Sequence, residues 1–451
     1  MRIIYLAVLA LAALPISAQA QSALNLKALE GLAPFSALGN TAAGKAALSA
    51  NYSITGAIQN GTSGQPGLTD FATAQAQALR DAFITGANAY QLADGLGTKL
   101  GGAYQSLTSV SSADDGVAVK FTNVSPAVGN LIAYTSGLTG SDSNSGKFFF
   151  ANASQKTTGP DTPISPAAAA LLKAAGGTTD VFGKAYGHPA GSPGADPYGD
   201  SRPFQTEAKL LKYADPDFFG VASGNDDYLD GPAQNLTGSP SFPSGHTTYG
   251  YTESTLLAIL VPARYPQMIT RGAEYGNSRI VLGAHYAMDV IAGRTLAYYD
   301  LAHLLANDPD YLGQKAGKAK PITDYRAALA AARADLAAAL AKACGGPVPA
   351  CAAADSSRFA NAATDAAFYE STQTYGLPDV YPAKPENVAV LAPQAGWLLK
   401  AAFPKLSLAH ADRILTETEG PGGGFLDDGS AFGVYSRLDL YKAAEIVEHG
   451  R

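Results

Sequence analysis

Ser241-Phe242-Pro243-Ser244-Gly245-His246-Thr247 leads directly into an apolar run, Thr247 to Val261, that Pro262 stops. The pattern predicts a helix whose free N-terminus follows Ser244. The first backbone N–H groups of a helix lack intrahelical partners, and the helix dipole favours negative charge there. Gly245 lets the backbone approach a ligand closely, so Ser244 and Gly245 form a candidate anion cradle. His246 would stand beside the anion and hand a proton to a leaving oxygen, work suited to a group that titrates near ~6.5. Taken alone, the stretch also fits an ordinary serine cap followed by an exposed histidine.

Two further stretches give the first its chemistry. Downstream come Ser278-Arg279, then His285, then Asp289. Helices are expected from Pro266 to about Tyr275 and from His285 to Leu305. On the second of these, His285 and Asp289 are four residues apart and share a face. A carboxylate bonded to one imidazole nitrogen fixes the tautomer and leaves the other lone pair free to attack. Val281, Leu282, Ala284, Val290 and Ile291 predict burial, against a surface ion pair. Arg279, and Arg202 within Ser201-Arg202-Pro203-Phe204, supply planar forks that match phosphate oxygens. Together these residues form a phosphoryl-transfer kit that needs no metal and no cofactor.

Arg202-Pro203, Pro243 to His246, and Ser278-Arg279 through His285 to Asp289 resemble the signature of the type 2 phosphatidic acid phosphatase superfamily. Residues 239–294 are most similar to its soluble periplasmic branch, the class A non-specific acid phosphatases, in which an Arg-Gly-x-x-x-Gly-x-Ser-Arg run also precedes the histidine, here Arg271-Gly272 to Ser278-Arg279. The resemblance implies an all-α helical bundle of the acid phosphatase and vanadium haloperoxidase type. It implies that His285 attacks phosphorus, Asp289 orients it, His246 serves as acid then base, and Arg202, Arg279, Ser244 and Gly245 hold the phosphate. One position departs: the family lysine seven residues before the arginine is here Ala195. Lys184, Lys209 or Lys212 would replace it, or the site has one cation fewer. A vanadium-dependent haloperoxidase is the first alternative, and a non-catalytic periplasmic binding protein on the same scaffold the second.

The rest of the chain sets the setting. Of 451 residues 47% are hydrophobic, enough for a substantial core, and a net charge of −7 argues against nucleic acid or an anionic membrane as partner. A small-molecule phosphoester is the expected partner. Met1-Arg2, the apolar run Ile3 to Leu14 and Ala18-Gln19-Ala20 read as a secretory signal over 1–20, placing the mature chain in the periplasm or outside, without an integral membrane segment. Cys344 and Cys351 flank a turn-rich loop and are expected to form a local disulfide. Residues 21–164 read as a lead-in and helical region, with 21–66 extended, a helical pattern from Phe71 to about Tyr104 capped by Asp70, and 105–164 polar with short apolar pieces. Residues 165–310 hold the three motifs, 311–376 an Ala-rich helix over Arg326–Ala343 and the cysteine loop, and 377–451 a helical cap. Tyr198 and Tyr286 are candidates for the pocket mouth. Asp226-Asp227 and Asp427-Asp428 read as solvated turns in Gly-rich loops, and His188, His303, His410 and His449 lack ligand spacing and read as structural.

Overall fold

Side-chain caps and glycine stops set many helix boundaries in the computed structural model, which describes residues 23–82, 91–113, 116–121, 125–154, 166–174, 180–195, 199–206, 236, 238–382 and 388–449. Asp70 accepts the Thr73 N–H at 3.0 Å, Ser244 that of Thr247 at 3.0 Å, and Asp324 that of Ala327 at 3.0 Å. Gly345 ends its helix at φ 76°, a left-handed turn that favours glycine. In chain order the helices are α1 (Ala23–Leu32), α2 (Ala42–Gln59), α3 (Phe71–Asp81), α4 (Thr98–Ser106), α5 (Pro126–Ser154), α6 (Pro166–Ala174), α7 (Val181–Ala185), α8 (Pro203–Thr206), α9 (Gly245–Leu260), α10 (Tyr265–Val281) and α11 (Ala287–Leu305). There follow α12 (Tyr325–Cys344), α13 (Val348–Ala353), α14 (Ala362–Thr374), α15 (Val388–Leu391), α16 (Trp397–Lys400), α17 (Leu408–Thr418), α18 (Ala431–Val434) and α19 (Leu440–His449). Among the described residues the strands are one antiparallel hairpin, Thr108–Ala113 against Gly116–Phe121, so the all-α class holds.

Helices α9, α10 and α11 pack on one another at the centre, and α5 lies against α9 and α11. The three central helices are buried along nearly their whole length. Close approach is enforced by glycine: a Cβ at Gly293 on α11 would stand 2.6 Å from the Ser244 carbonyl oxygen at the start of α9. That contact sets the N-terminal ends of α9 and α11 side by side.

The structure corrects four expectations. Residues 21–66 are not extended: α1 and α2 occupy most of that stretch, with Leu29, Leu32, Ala47, Leu48 and Ile58 buried in the core. Residues 105–164 contain α5, 29 residues long, beneath a Ser-, Gly- and Asn-rich sequence. Tertiary burial of Val128, Leu131, Ile132, Tyr134 and Leu138 outweighs weak local propensity there. Helix α10 runs on to Val281, past Tyr275. Helix α11 starts at Ala287, so His285 precedes it. Cys344 and Cys351 form the expected disulfide. The signal segment 1–20 lies outside the described residues. No described helix is long and apolar enough to cross a membrane.

The C-terminal region is fastened to α11 by Arg294, which is buried and donates to the Thr372, Gln373 and Ser436 carbonyls, each at 2.9 Å. Arg294→Met should therefore lower the urea midpoint by an amount equivalent to about 2–4 kcal/mol, because three charge-assisted bonds go and three carbonyls lose a partner. A midpoint equal to wild type would show that this fastening contributes nothing.

Candidate active site

The site is assembled from one helix end and two helix starts. At the end of α10, Gly283 takes φ 71° and reverses the chain. The N–H groups of Ala284 and His285 then both donate to the Arg279 carbonyl, at 3.1 and 3.2 Å. This closure ties Arg279 to His285 and accounts for their spacing. At the start of α11, Asp289 accepts the Tyr286 N–H at 2.8 Å and the Ser241 hydroxyl. The Ser244 N–H donates to the Asp289 carbonyl at 3.2 Å.

His285 and Asp289 meet, but not as neighbours on a helical face. His285 sits in the turn before α11, and its Nδ1 lies 3.3 Å from the carboxylate oxygen that also caps the helix. With Nδ1–H toward Asp289, Nε2 is the accepting nitrogen. Two groups face it: Arg202 Nη1 at 3.0 Å and His246 Nδ1 at 3.1 Å. Both imidazoles are buried, His285 completely.

The two arginines differ in use. Arg202 donates Nε–H to Ser239 O at 2.7 Å, Nη1–H to Ala284 O at 2.9 Å, and Nη2–H to Ser239 Oγ and Pro240 O, both at 3.1 Å. Counting His285, all five of its N–H groups have partners in the chain. It supplies charge and fixes the surroundings of His285. Arg279 is also buried, yet its Nε and Nη1 have no hydrogen-bond partner. Its fork is the one open to an oxyanion.

A lysine that the sequence did not single out stands beside the cradle, on an unexpected helix. Lys147 of α5 is buried, and a Cβ on Gly245 would stand 3.5 Å from its Nζ and 3.2 Å from Ser143 Oγ. Lys147 forms no hydrogen bond or ion pair with a described residue, and the buried Ser143 hydroxyl has no partner. Lys184 instead is exposed and lines a separate surface cavity of about 730 Å³ with Lys45, Asp180 and Tyr186. Lys209 and Lys212 lie outside the described residues, as do Tyr198 and Asp226-Asp227. Tyr286 does not line a mouth: it is buried, bonded to Thr206 and packed against Tyr186 and Phe182. Asp427, expected in a solvated turn, is instead buried, accepting the Gly423 N–H at 2.8 Å and pairing with Arg437. Sequence reasoning missed Lys147, Ser143 and Ser241. The one available signal was that Lys147 and Asp142 are the only charged residues in α5.

Charge crowding governs titration. Burial, then Arg279, Lys147 and Arg202, hold His246 well below its usual value. Burial, then Arg202 and His246, do the same for His285. Burial and Arg202 push Lys147 down to about 7, although Asp200 and Asp289 oppose them. Burial raises Asp289 to about 7 against its bonds from Ser241 and Tyr286. The result is a neutral His285 in a cationic pocket.

Comparison with known proteins agrees with this geometry. Residues 196–308, about a quarter of the chain and the part that bears the motifs, match the PAP2 superfamily. A non-specific acid phosphatase of Providencia stuartii is 30% identical over 152 residues, 31% of this chain and 59% of that protein. An acid phosphatase of Zymomonas mobilis is 44% identical over 71 residues, 16% of this chain and 26% of its own length. A non-specific acid phosphatase of Salmonella typhimurium is 42% identical over 64 residues, 14% of this chain and 26% of its own length. The chain thus spans 59% of the first relative and about a quarter of the other two.

Lys147 is charged below about 7 and neutral above it, so its attraction for an oxyanion fades as pH rises through that value. Lys147→Met should weaken phosphate inhibition at pH 5.5 by roughly 10–100-fold. It should also flatten the loss of inhibition between pH 6 and 8 relative to wild type, the inhibitor's own titration being common to both. Parallel curves for the two proteins would remove Lys147 from the site.

Proposed function

We propose that the chain is a secreted, periplasmic or extracellular acid phosphatase that hydrolyses phosphomonoesters through a phosphohistidine and draws its positive charge from side chains alone. The observation that carries this reading is the His285 Nε2 position, backed by Asp289 and facing both Arg202 Nη1 at 3.0 Å and His246 Nδ1 at 3.1 Å. The phosphatase names of the similar proteins support the same reaction class.

In the proposed reaction Arg279, Lys147, Ser143 and the Gly245 end of α9 hold the non-bridging oxygens. His285 Nε2 attacks phosphorus as the P–O ester bond breaks, and His246 Nδ1–H gives its proton to the departing alkoxide. Asp289 keeps the Nδ1 proton of His285 in place and stabilises the positive phosphoimidazole. Water then attacks phosphorus, His246 takes its proton, the N–P bond breaks, and phosphate leaves with both histidines restored. An in-line phosphoryl group needs roughly 3 Å on the attacking side and a hydrogen bond of ~2.6–3.2 Å on the leaving side. The two imidazoles, 3.1 Å apart, therefore part as substrate arrives.

A buried lysine beside the Gly245 cradle fits an oxyanion such as vanadate as well as phosphate, so the haloperoxidase alternative keeps a specific observation in its favour. Peroxide-dependent halide oxidation, assayed with and without vanadate, separates the two chemistries.

Rapid quench of wild type with radiolabelled p-nitrophenyl phosphate should trap a covalent phosphoenzyme, and His285→Ala should yield none and no turnover. His246→Ala should lose about 10²–10⁴-fold in kcat on an alkyl phosphate, which needs protonation of its leaving group, and far less on p-nitrophenyl phosphate. Normal turnover by His285→Ala, or loss of wild-type activity in chelator, would refute the mechanism. A secreted chain that does not begin at Gln21 would refute the assigned cleavage point.

A further inference from the structure

The run Arg271-Gly272 to Ser278-Arg279 contains more fixed residues than the phosphate pocket uses. Helix geometry sorts them. At ~100° per residue, Arg271 and Ser278 project from one face of α10, and Gly272, Gly276 and Arg279 from another. The glycine face meets neighbouring helices: a Cβ at Gly272 would stand 2.3 Å from Ser254 Oγ of α9, and one at Gly276 2.9 Å from Val290 of α11. At Gly272 and Gly276 that face permits close packing but offers no side chain to key its rotation.

The other face is keyed by one carboxylate. Asp81, the last residue of α3, is fully buried. Its Oδ1 accepts Arg271 Nη2 at 2.5 Å and Gln77 Nε2 at 2.9 Å. Its Oδ2 accepts Arg271 Nη1 at 3.0 Å and the Ser278 hydroxyl at 2.8 Å. Arg271 is completely buried and also bonds Asp94 at 2.7 Å, while Arg358 ties Asp94 to Glu274 at the far side of the network. One carboxylate thus grips α10 at two points two turns apart, and the second grip is the residue next to Arg279.

We propose that Asp81 is a positioning residue for Arg279: by holding Arg271 and Ser278 it sets the rotation and register of α10, and hence the aim of the guanidinium at the phosphate pocket. The inference rests on the reading of that pocket as an oxyanion site. Arg279 has no hydrogen bond of its own at Nε or Nη1 to fix it, so its direction is inherited from the helix. The same tie reaches the nucleophile, because the Arg279 carbonyl accepts the His285 N–H at 3.2 Å.

The test compares Asp81→Asn and Ser278→Ala with Arg358→Gln, which breaks the ionic network without touching either grip. Orthovanadate binding is measured directly by calorimetry, kcat and KM on p-nitrophenyl phosphate by assay, and fold by circular dichroism and thermal midpoint. Asp81→Asn and Ser278→Ala should each weaken vanadate binding at least tenfold and lower kcat/KM to match, while Arg358→Gln lowers the thermal midpoint and leaves vanadate binding within twofold of wild type. Vanadate affinities within twofold of wild type in both first variants would overturn the proposal, as would an equal loss in Arg358→Gln. Should Asp81→Asn fail to fold, Ser278→Ala decides alone. A wild type that binds vanadate but turns over no ester ends the phosphatase reading, and the vanadate affinities still judge Asp81. A wild type that binds no vanadate overturns both.

Discussion

Lys147, Arg202 and Arg279 converge on one buried space with two imidazoles, and little opposes them except Asp289 and Asp200. Gathering like charges away from water is costly, and the cost falls when an anion arrives among them. The remainder of the site can be understood as the means of holding that arrangement. Arg202 is fixed by carbonyls from Ser239, Pro240 and Ala284, which solvate its charge without cancelling it. Arg279 is fixed by its helix. Lys147 is carried in on α5, and its charge is so poorly supported that it titrates at about 7. Each cation is therefore immobilised by the fold rather than by a partner carboxylate, which would compete with substrate.

Asp289 shows how few atoms do this. One carboxylate oxygen accepts the Tyr286 N–H that begins α11, the Ser241 hydroxyl, and the Nδ1 side of His285. The cap on the helix and the orientation of the nucleophile are the same interaction. A shift in either stretch is transmitted to His285 without passing through any flexible side chain. The close packing of Gly293 on Ser244 places the α9 start, and so His246, in the same rigid frame.

What could be read from the sequence follows from what is local. Ser244, Gly245 and His246 are consecutive, and Arg279, His285 and Asp289 follow one another at short spacing, so each group was legible locally, while the meeting of the two groups was what the resemblance implied. The helix limits were less legible. His285 was placed on α11 because Asp289 follows at helical spacing, whereas a capping carboxylate reaches back past the helix start with the same spacing. Lys147 was illegible for another reason. It belongs to α5, whose Ser-Asp-Ser-Asn-Ser-Gly stretch before the lysine has little helix propensity and no apolar period. Long-range packing against α9 and α11 makes that helix, and only that packing carries the lysine to Gly245. Arg202 was expected to hold phosphate oxygens, whereas its N–H groups are taken up by three backbone carbonyls, the Ser239 hydroxyl and His285, which no sequence pattern reports.

The crowded cations also set a conflict that the proposed reaction must resolve. A nucleophilic histidine has to be neutral, and burial, reinforced by Arg202, His246, Lys147 and Arg279, keeps His285 so. A histidine that protonates a leaving group has to be charged, and burial together with the same cations discharges His246. Both rings cannot be served by a fixed potential. The substrate breaks the symmetry: its phosphate carries negative charge into the space between the rings, offsets the cations as seen from His246, and restores that ring's affinity for a proton, while Nε2 of His285 turns to phosphorus and no longer titrates. Acid and nucleophile are thus distinguished by the bound anion rather than by the empty protein, and proton uptake becomes part of substrate binding.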